Sequence, residues 1–312
     1  MENADRPKKL ILYFDQNALS EMAKIGVNDR VRPDYKKLFE ILHSAFLGGR
    51  LAILRSMNHE AETSAAGVLK DCIRQRLSTL SHVHLHHPLA IKEAQIARAA
   101  RRWLGGPDLG PTVNFDDAFQ DDPDDPPSCF DINVNSDWMF KDEAERRAGL
   151  ASALDALRVR ERNKGTTFDQ LYRRELDSER EQIASHRHVH HIAASANVSA
   201  QQIRAFAGSD ALGDVPYVHL DVALTAKLLT HHSNRQVKPG DMPDFEAIAA
   251  YLPYCDAYMT DKLAASVAKT IGADTKFGCA LFDASTAGVA GMIGFLEERL
   301  RACGATSKAP GH

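Results

Sequence analysis

KLILYFDQNALSEMAKIG, residues 9–26, carries the reading from which the fold follows. Residues 9–14 form a β-branched and aromatic run with no polar alternation, the pattern of a strand covered on both faces. The run stops at Asp15. Ala18, Leu19, Met22 and Ala23 then recur at helical spacing, so the stretch reads strand, turn, helix.

The same unit returns downstream. Pro33 to Gly48 repeats the helical period through Tyr35, Leu38, Phe39, Leu42, Ala45 and Phe46, and Gly48-Gly49 stops it. LAIL (51–54) reads as a second short buried strand, followed by a helix carrying His59 and Glu60. SHVHLHHP (81–88) reads as a third strand and 89–104 as another amphipathic helix. Strands alternating with helices predict βαβ units and a parallel sheet with helices on both faces. Near Gly105 the rhythm breaks: DDAFQDDPDD (116–125) has six aspartates in ten positions, and reads as a loop too polar to pack. From about 141 to 233 the chain is helical and charged, and after Gly240 strands return at 256–260 (DAYMT) and within 277–285 (FGCALFDAS), with a final helix at 287–302. The expectation is an α/β fold, a three-layer α/β/α arrangement around a mainly parallel sheet. Residues 1–105 and 215–312 form one discontinuous domain, and 106–214 an acidic loop and helical insertion or cap.

Composition narrows the class. The chain has 312 residues, 44% apolar and 26% charged, which excludes wholesale disorder and coiled coil. No apolar run is long enough to span a membrane, and the run after Lys8-Lys9 is too short for a signal peptide, so a soluble cytoplasmic protein is expected. Cys72, Cys129, Cys255, Cys279 and Cys303 include no C-x-x-C pair and read as free thiols. With 42 acids against 38 bases the net charge is -4, which rules out a protein that coats nucleic acid by bulk charge.

Parallel α/β sheets place their chemistry at the carboxyl ends of the strands. Asp15 and Asp261 both hold that position, each the first acid after an apolar run. Glu60 lies one turn into the helix after the second strand, and Asp241 and Asp244 begin the helix preceding the strand that ends at Asp261. Carboxylates gathered in one cleft repel and raise one another's pKa unless a cation neutralises them, and a hard divalent ion suits oxygen ligands. The bland alternative is capping: Asp15 and Asp261 before helices, and Asp241 or Asp244 at the start of 243–252.

LYFDQN (12–17), SMNHEAE (56–62) and DMPDFEAIAAYLPYCDAYMTDK (241–262) together resemble the acidic signature of the PIN-like nuclease superfamily. That family has an aspartate ending strand one, a glutamate on an early helix, an aspartate starting a later helix, and a Thr-Asp pair closing the next strand. The resemblance covers roughly 1–105 and 238–300. It implies Asp15, Glu60, Asp241 or Asp244, and Asp261 as metal-binding residues, with Asp256 as a further acid and Asn17, Thr260 and Lys262 as substrate contacts. It also implies Mg²⁺ or Mn²⁺ and hydrolysis of phosphodiester bonds, in RNA ahead of DNA, by a metal-activated water. The expected partner is nucleic acid, with a second copy of the chain or an inhibitory protein as further partners.

Other signals compete. His82, His84 and His86 share a strand face, and His186 and His190 stand at i, i+4, a spacing zinc can use, yet no H-E-x-x-H or cysteine partner accompanies them. Arginines of the helical segment, Arg146, Arg147, Arg158, Arg160, Arg162, Arg173 and Arg174, together with Lys164, offer a phosphate-binding surface or a merely solvated one. A catalytically idle binding module and a metal-dependent phosphatase remain as alternative functions; for a haloacid-dehalogenase-type phosphatase, Asn17 stands where the second acid belongs.

Overall fold

The computed structural model describes residues 8–27, 31–64, 69–106, 113–125, 142–230 and 235–306. Five strands, β1 (Leu10–Phe14), β2 (Leu51–Arg55), β3 (Ser81–His84), β4 (Ala257–Thr260) and β5 (Ala280–Asp283), form one sheet in the order β3-β2-β1-β4-β5. Every pairing is parallel. Parallel neighbours need crossovers, and the helices supply them.

These are α1 (Gln16–Ala23), α2 (Pro33–Leu47), α3 (Met57–Ser64), α4 (Lys70–Leu80) and α5 (Pro88–Trp103) in the first part. Then come α6 (Glu143–Asn163), α7 (Phe168–Ala184), α8 (His186–Ala196), α9 (Ala200–Ala207) and α10 (Pro216–Thr230). The last are α11 (Asp241–Tyr251), α12 (Lys262–Thr270), α13 (Ala273–Phe277) and α14 (Thr286–Thr306). The unbroken apolar run of β1 follows from burial on both faces. Leu10, Leu12 and Phe14 pack with α1, α2, α4 and α14 through residues such as Met22, Leu38, Leu77 and Met292. Ile11 and Tyr13 point the other way, into a core with Ile91 of α5, Leu224 of α10 and Ile248 of α11.

The segment expected as an insertion is helical from Glu143 onward and shares a core with the rest. Leu176, Ile192, Ile203 and Phe206 of α7 to α9 close around Ile96 and Ala100 of α5 and Val218 of α10. The acidic loop corrects the expectation that it is too polar to pack. Ala118 is fully buried and Phe119 nearly so. His86 N–H donates to Ala118 O and Gln120 N–H to His84 O, both at 2.8 Å, and Asp121 accepts from His84 N at 2.8 Å. The loop thus occupies hydrogen-bonding groups at the open edge of β3, which would otherwise be exposed for pairing.

Asp256 is a second correction. It precedes β4, at the amino edge of the sheet, where its Oδ2 accepts from Ile11 N at 2.8 Å and its Oδ1 lies 3.5 Å from Arg299. A four-residue strand puts it about 13 Å from the carboxyl end, so its role is structural. Among the described residues no helix is long and apolar enough to cross a membrane. Cys72, Cys255 and Cys279 are free thiols, whereas Cys129 and the side chain of Cys303 lie outside the described residues.

Removing the Asp256 carboxylate leaves the buried Ile11 N–H unpaired, a loss on the order of 2 kcal/mol. Asp256→Ala is expected to lower the urea midpoint accordingly, with an unchanged slope; an unaltered midpoint would show that the bond contributes nothing.

Candidate active site

β1 and β4 are neighbours, and their register pairs Phe14 with Met259. The next residue of β1 is tied in as well, since Asp15 N–H donates to Met259 O at 2.9 Å. Asp15 and Asp261 therefore leave the sheet side by side. Each begins a helix, with Asp15 Oδ1 accepting from Ala18 N at 3.1 Å and Asp261 Oδ1 from Ala264 N at 2.6 Å. The capping reading holds for both: one oxygen caps, which fixes the rotamer, and the second is turned elsewhere. For Asp15 that second oxygen, Oδ2, is buried with no hydrogen-bond partner.

Two further acids face this pair. Asp244, in the first turn of α11, has its pKa pushed well above the usual carboxylate range by burial, then by the charges of Asp15, Glu62, Asp261 and Asp241. Burial likewise raises Glu62 on α3, against the opposing pull of Arg147. Asp15 is pushed up to about 7, chiefly by burial and then by Glu62 and Asp261, although the Ala18 N–H and the Asn17 side chain favour its charged form. Four mutually repelling carboxylates, Asp15, Glu62, Asp244 and Asp261, are gathered here from distant parts of the sequence.

Glu60 is not one of them. It forms an ion pair with Arg55, the last residue of β2, its Oε1 accepting from Nε at 2.9 Å and Nη2 at 2.6 Å. Helical geometry explains the exchange, because residues advance about 100° each around a helix. His59 on α3 is buried against the end of β1, its ring stacked on Tyr13 at 4.8 Å. Glu62 is three residues from His59 and shares that face, whereas Glu60 is turned away toward β2. Asp241 is also otherwise engaged: Arg235 grips it with two bonds of 2.8 Å, and Lys238 N donates at 2.8 Å. Between the two acids of α11 that the sequence leaves open, Asp244 faces the cluster. Of the expected substrate contacts, Thr260 is buried with an unpartnered hydroxyl, while Asn17 and Lys262 are exposed at the rim.

The floor is aromatic and fixed. Tyr13 stacks on Tyr258 at 4.6 Å and on Tyr251 at 5.4 Å. His59 Nε2 lies 2.6 Å from Phe14 O, and its Nδ1 accepts from Ser56 N at 3.2 Å, so the ring is the neutral Nε2–H tautomer. Burial, the main cause, holds its pKa down at about 4. A neutral histidine thus pins the last carbonyl of β1 without adding charge beneath the acids. At the walls stand two arginines. Arg147 of α6 lies 3.3 Å from Glu62, and Arg235 lies 3.5 Å from Asp261.

The donor set is all hard oxygen with excess negative charge, and includes a buried oxygen without a partner, which fits a divalent cation in kind. Among the described residues no group of three His, Cys, Asp or Glu side chains is drawn together tightly enough to hold a metal ion as it stands. The histidine clusters lie elsewhere: His84 bonds Asp121 at 2.8 Å, and His188 and His191 approach Glu93 at 3.4 and 2.8 Å. The side chains of His82 and His186 lie outside the described residues.

Because the folded-state pKa of Asp15 is raised, ionising it costs stability as pH rises from about 4 through 7. Asp15→Asn keeps the cap acceptor and removes the charge. In chelator at pH 8 it is expected to be more stable than wild type by up to about 4 kcal/mol, roughly 8 °C in Tm, with the difference vanishing near pH 4. Equal melting at pH 8 would mean that Asp15 is not under electrostatic strain.

No model of a known protein family, no curated protein and no solved structure matches this chain.

Proposed function

We propose that the chain is a metal-dependent endonuclease of the PIN-like kind, hydrolysing phosphodiester bonds. The observation that carries this reading is the meeting of Asp15, Glu62, Asp244 and Asp261 at the carboxyl ends of adjacent parallel strands, with Asp15 Oδ2 buried and unpartnered. The four acids occupy the element positions of the family pattern, with Glu62 in place of Glu60. The resemblance, rather than the geometry, puts RNA ahead of DNA. In this reading the setting is the cytoplasm, and the partner is a nucleic acid.

Asp15, Glu62, Asp244 and Asp261 would hold Mg²⁺ or Mn²⁺. Such an ion supplies a Lewis acid for the phosphoryl oxygens and a more acidic water, so that no nucleophilic side chain is required. The chain's own part is preorganisation. Capping bonds lock Asp15 and Asp261, His59 anchors the strand that presents Asp15, and the tyrosine stack seals the floor against water. Asp15, its pKa pushed up to about 7, retains over part of the neutral range a proton that a cation must displace, so cation affinity rises with pH through about 7. Arg147 brings a cation from the helical segment to the acids, which gives that segment a part in the site.

Labelled single-stranded RNA and DNA incubated with the full chain and Mn²⁺ test the reading. Wild type is expected to cleave, and Asp15→Asn, Glu62→Gln, Asp244→Asn and Asp261→Asn to lose about 100-fold or more of the rate. Glu60→Gln and Asp256→Asn should keep it within about threefold. Equal cleavage by wild type and Asp15→Asn removes the acids from the chemistry. Turnover of p-nitrophenyl phosphate without polymer cleavage replaces the nuclease with a phosphatase, and RNA binding with neither activity leaves a binding module.

A further inference from the structure

Arg235 is held by a two-bond clamp. Its Nη1 and Nη2 meet Asp241 Oδ2 and Oδ1, both at 2.8 Å, the fork-to-fork arrangement that fixes a guanidinium in plane. Asp241 is itself held, by Lys238 N–H at 2.8 Å and by burial, its side chain only 3% exposed. The arginine is not buried with it: 31% of its side chain is exposed. The clamp directs Nη2 toward Asp261, whose Oδ2 lies 3.5 Å away, a long and weak contact beside the tight pair. A planar, partly exposed cation thus stands beside the acid cluster, clamped by one acid and in loose contact with an acid of the cluster.

We propose that Arg235 is the substrate-phosphate anchor of this site and that Asp241 is its positioning residue. The proposal rests on the nuclease reading and deepens it. Asp261 attracts the guanidinium while its charge is uncompensated. A cation held by the four acids would remove that attraction and add a positive centre, and the partly exposed guanidinium would then meet an anionic phosphodiester instead. Arginine suits this task because its fork matches a phosphate as well as a carboxylate, whereas lysine offers only a point charge. Asp241 therefore works through Arg235. Arg147 does not qualify in the same way: its side chain is only 12% exposed.

The anchor makes opposite demands on two ligands, and that separates it from a structural ion pair. The full chain as wild type, Arg235→Ala, Arg235→Lys and Asp241→Asn is titrated calorimetrically with Mn²⁺ alone, then assayed for Mn²⁺-dependent cleavage of a labelled single-stranded RNA at several salt concentrations. Arg235→Ala is expected to bind Mn²⁺ two- to fivefold more tightly, because a competing cation is gone. It should raise KM about tenfold with a smaller change in kcat, and flatten the slope of log kcat/KM against log salt by about 0.7, the share of one phosphate contact on a single strand. Arg235→Lys, which keeps the charge and is the check against misfolding, is expected to retain wild-type Mn²⁺ affinity with a KM between the two. Asp241→Asn should raise KM without strengthening Mn²⁺ binding. Unchanged KM and salt slope in Arg235→Ala, or weaker Mn²⁺ binding with KM unaffected, overturns the anchor and leaves Arg235 as a prop for Asp261. A wild type that neither binds Mn²⁺ nor cleaves RNA overturns the nuclease reading itself, a result distinct from either.

Discussion

The pairing of β1 with β4 is the constraint on which the rest depends. Parallel strands in register end together, so the residues that follow them must emerge at one pole of the sheet. Here the bond from Asp15 N to Met259 O extends the ladder to the first residue beyond β1. Two aspartates separated by most of the chain become neighbours because a backbone register makes them so. Their own charges oppose the arrangement. The surrounding core, with Leu12 and Phe14 on one face and Tyr13 and Tyr258 on the other, offsets that repulsion.

Charge is distributed around this pole with a clear division of labour. Glu60 and Asp241 are matched by Arg55 and Arg235 at short range and serve the frame. Glu62 and Asp261 meet Arg147 and Arg235 at longer range, and one oxygen of Asp15, like one of Glu60, is buried without a hydrogen bond. Burial raises Asp15, Glu62 and Asp244 together, the signature of groups held against their electrostatic preference. Structural acids elsewhere in the molecule are treated otherwise: Glu161, nearly inaccessible, is surrounded by Arg160, Lys164 and Arg174 and has its pKa lowered, first by the Thr166 hydroxyl.

Much of this was legible in the residues because β1 and β4 are short apolar runs that each stop at an aspartate, and a strand buried on both faces has no other way to read. The alternation of strand and helix then dictated a parallel sheet. Helix phase was less legible. Glu60 and Glu62 differ by two positions, and choosing between them needs the buried face of α3, which is marked by His59, a residue whose burial no pattern announces. α4 went unread because KDCIRQRLSTL has so few apolar positions, Ile73, Leu77 and Leu80 carrying its buried face. The aspartate-rich loop is hard to read for a related reason: composition averages over the segment, whereas Ala118, Phe119 and Pro123 are buried and the aspartates bond to Lys8, His84 and Arg98. Arg235 had no signal in spacing, since its partner Asp241 had an equally good reading as a helix cap.

The placement of β1 between β2 and β4 has a consequence for how the protein comes into being. During synthesis β1 can pair with β2, and β2 with β3, early, but the other edge of β1 must wait until residue 260 has left the ribosome. Long-range closure of this kind is slow and entropically costly. It also means that a nascent chain ending before residue 261 cannot display the full set of four acids, so whatever reactivity resides at that pole is withheld until β4 has been made.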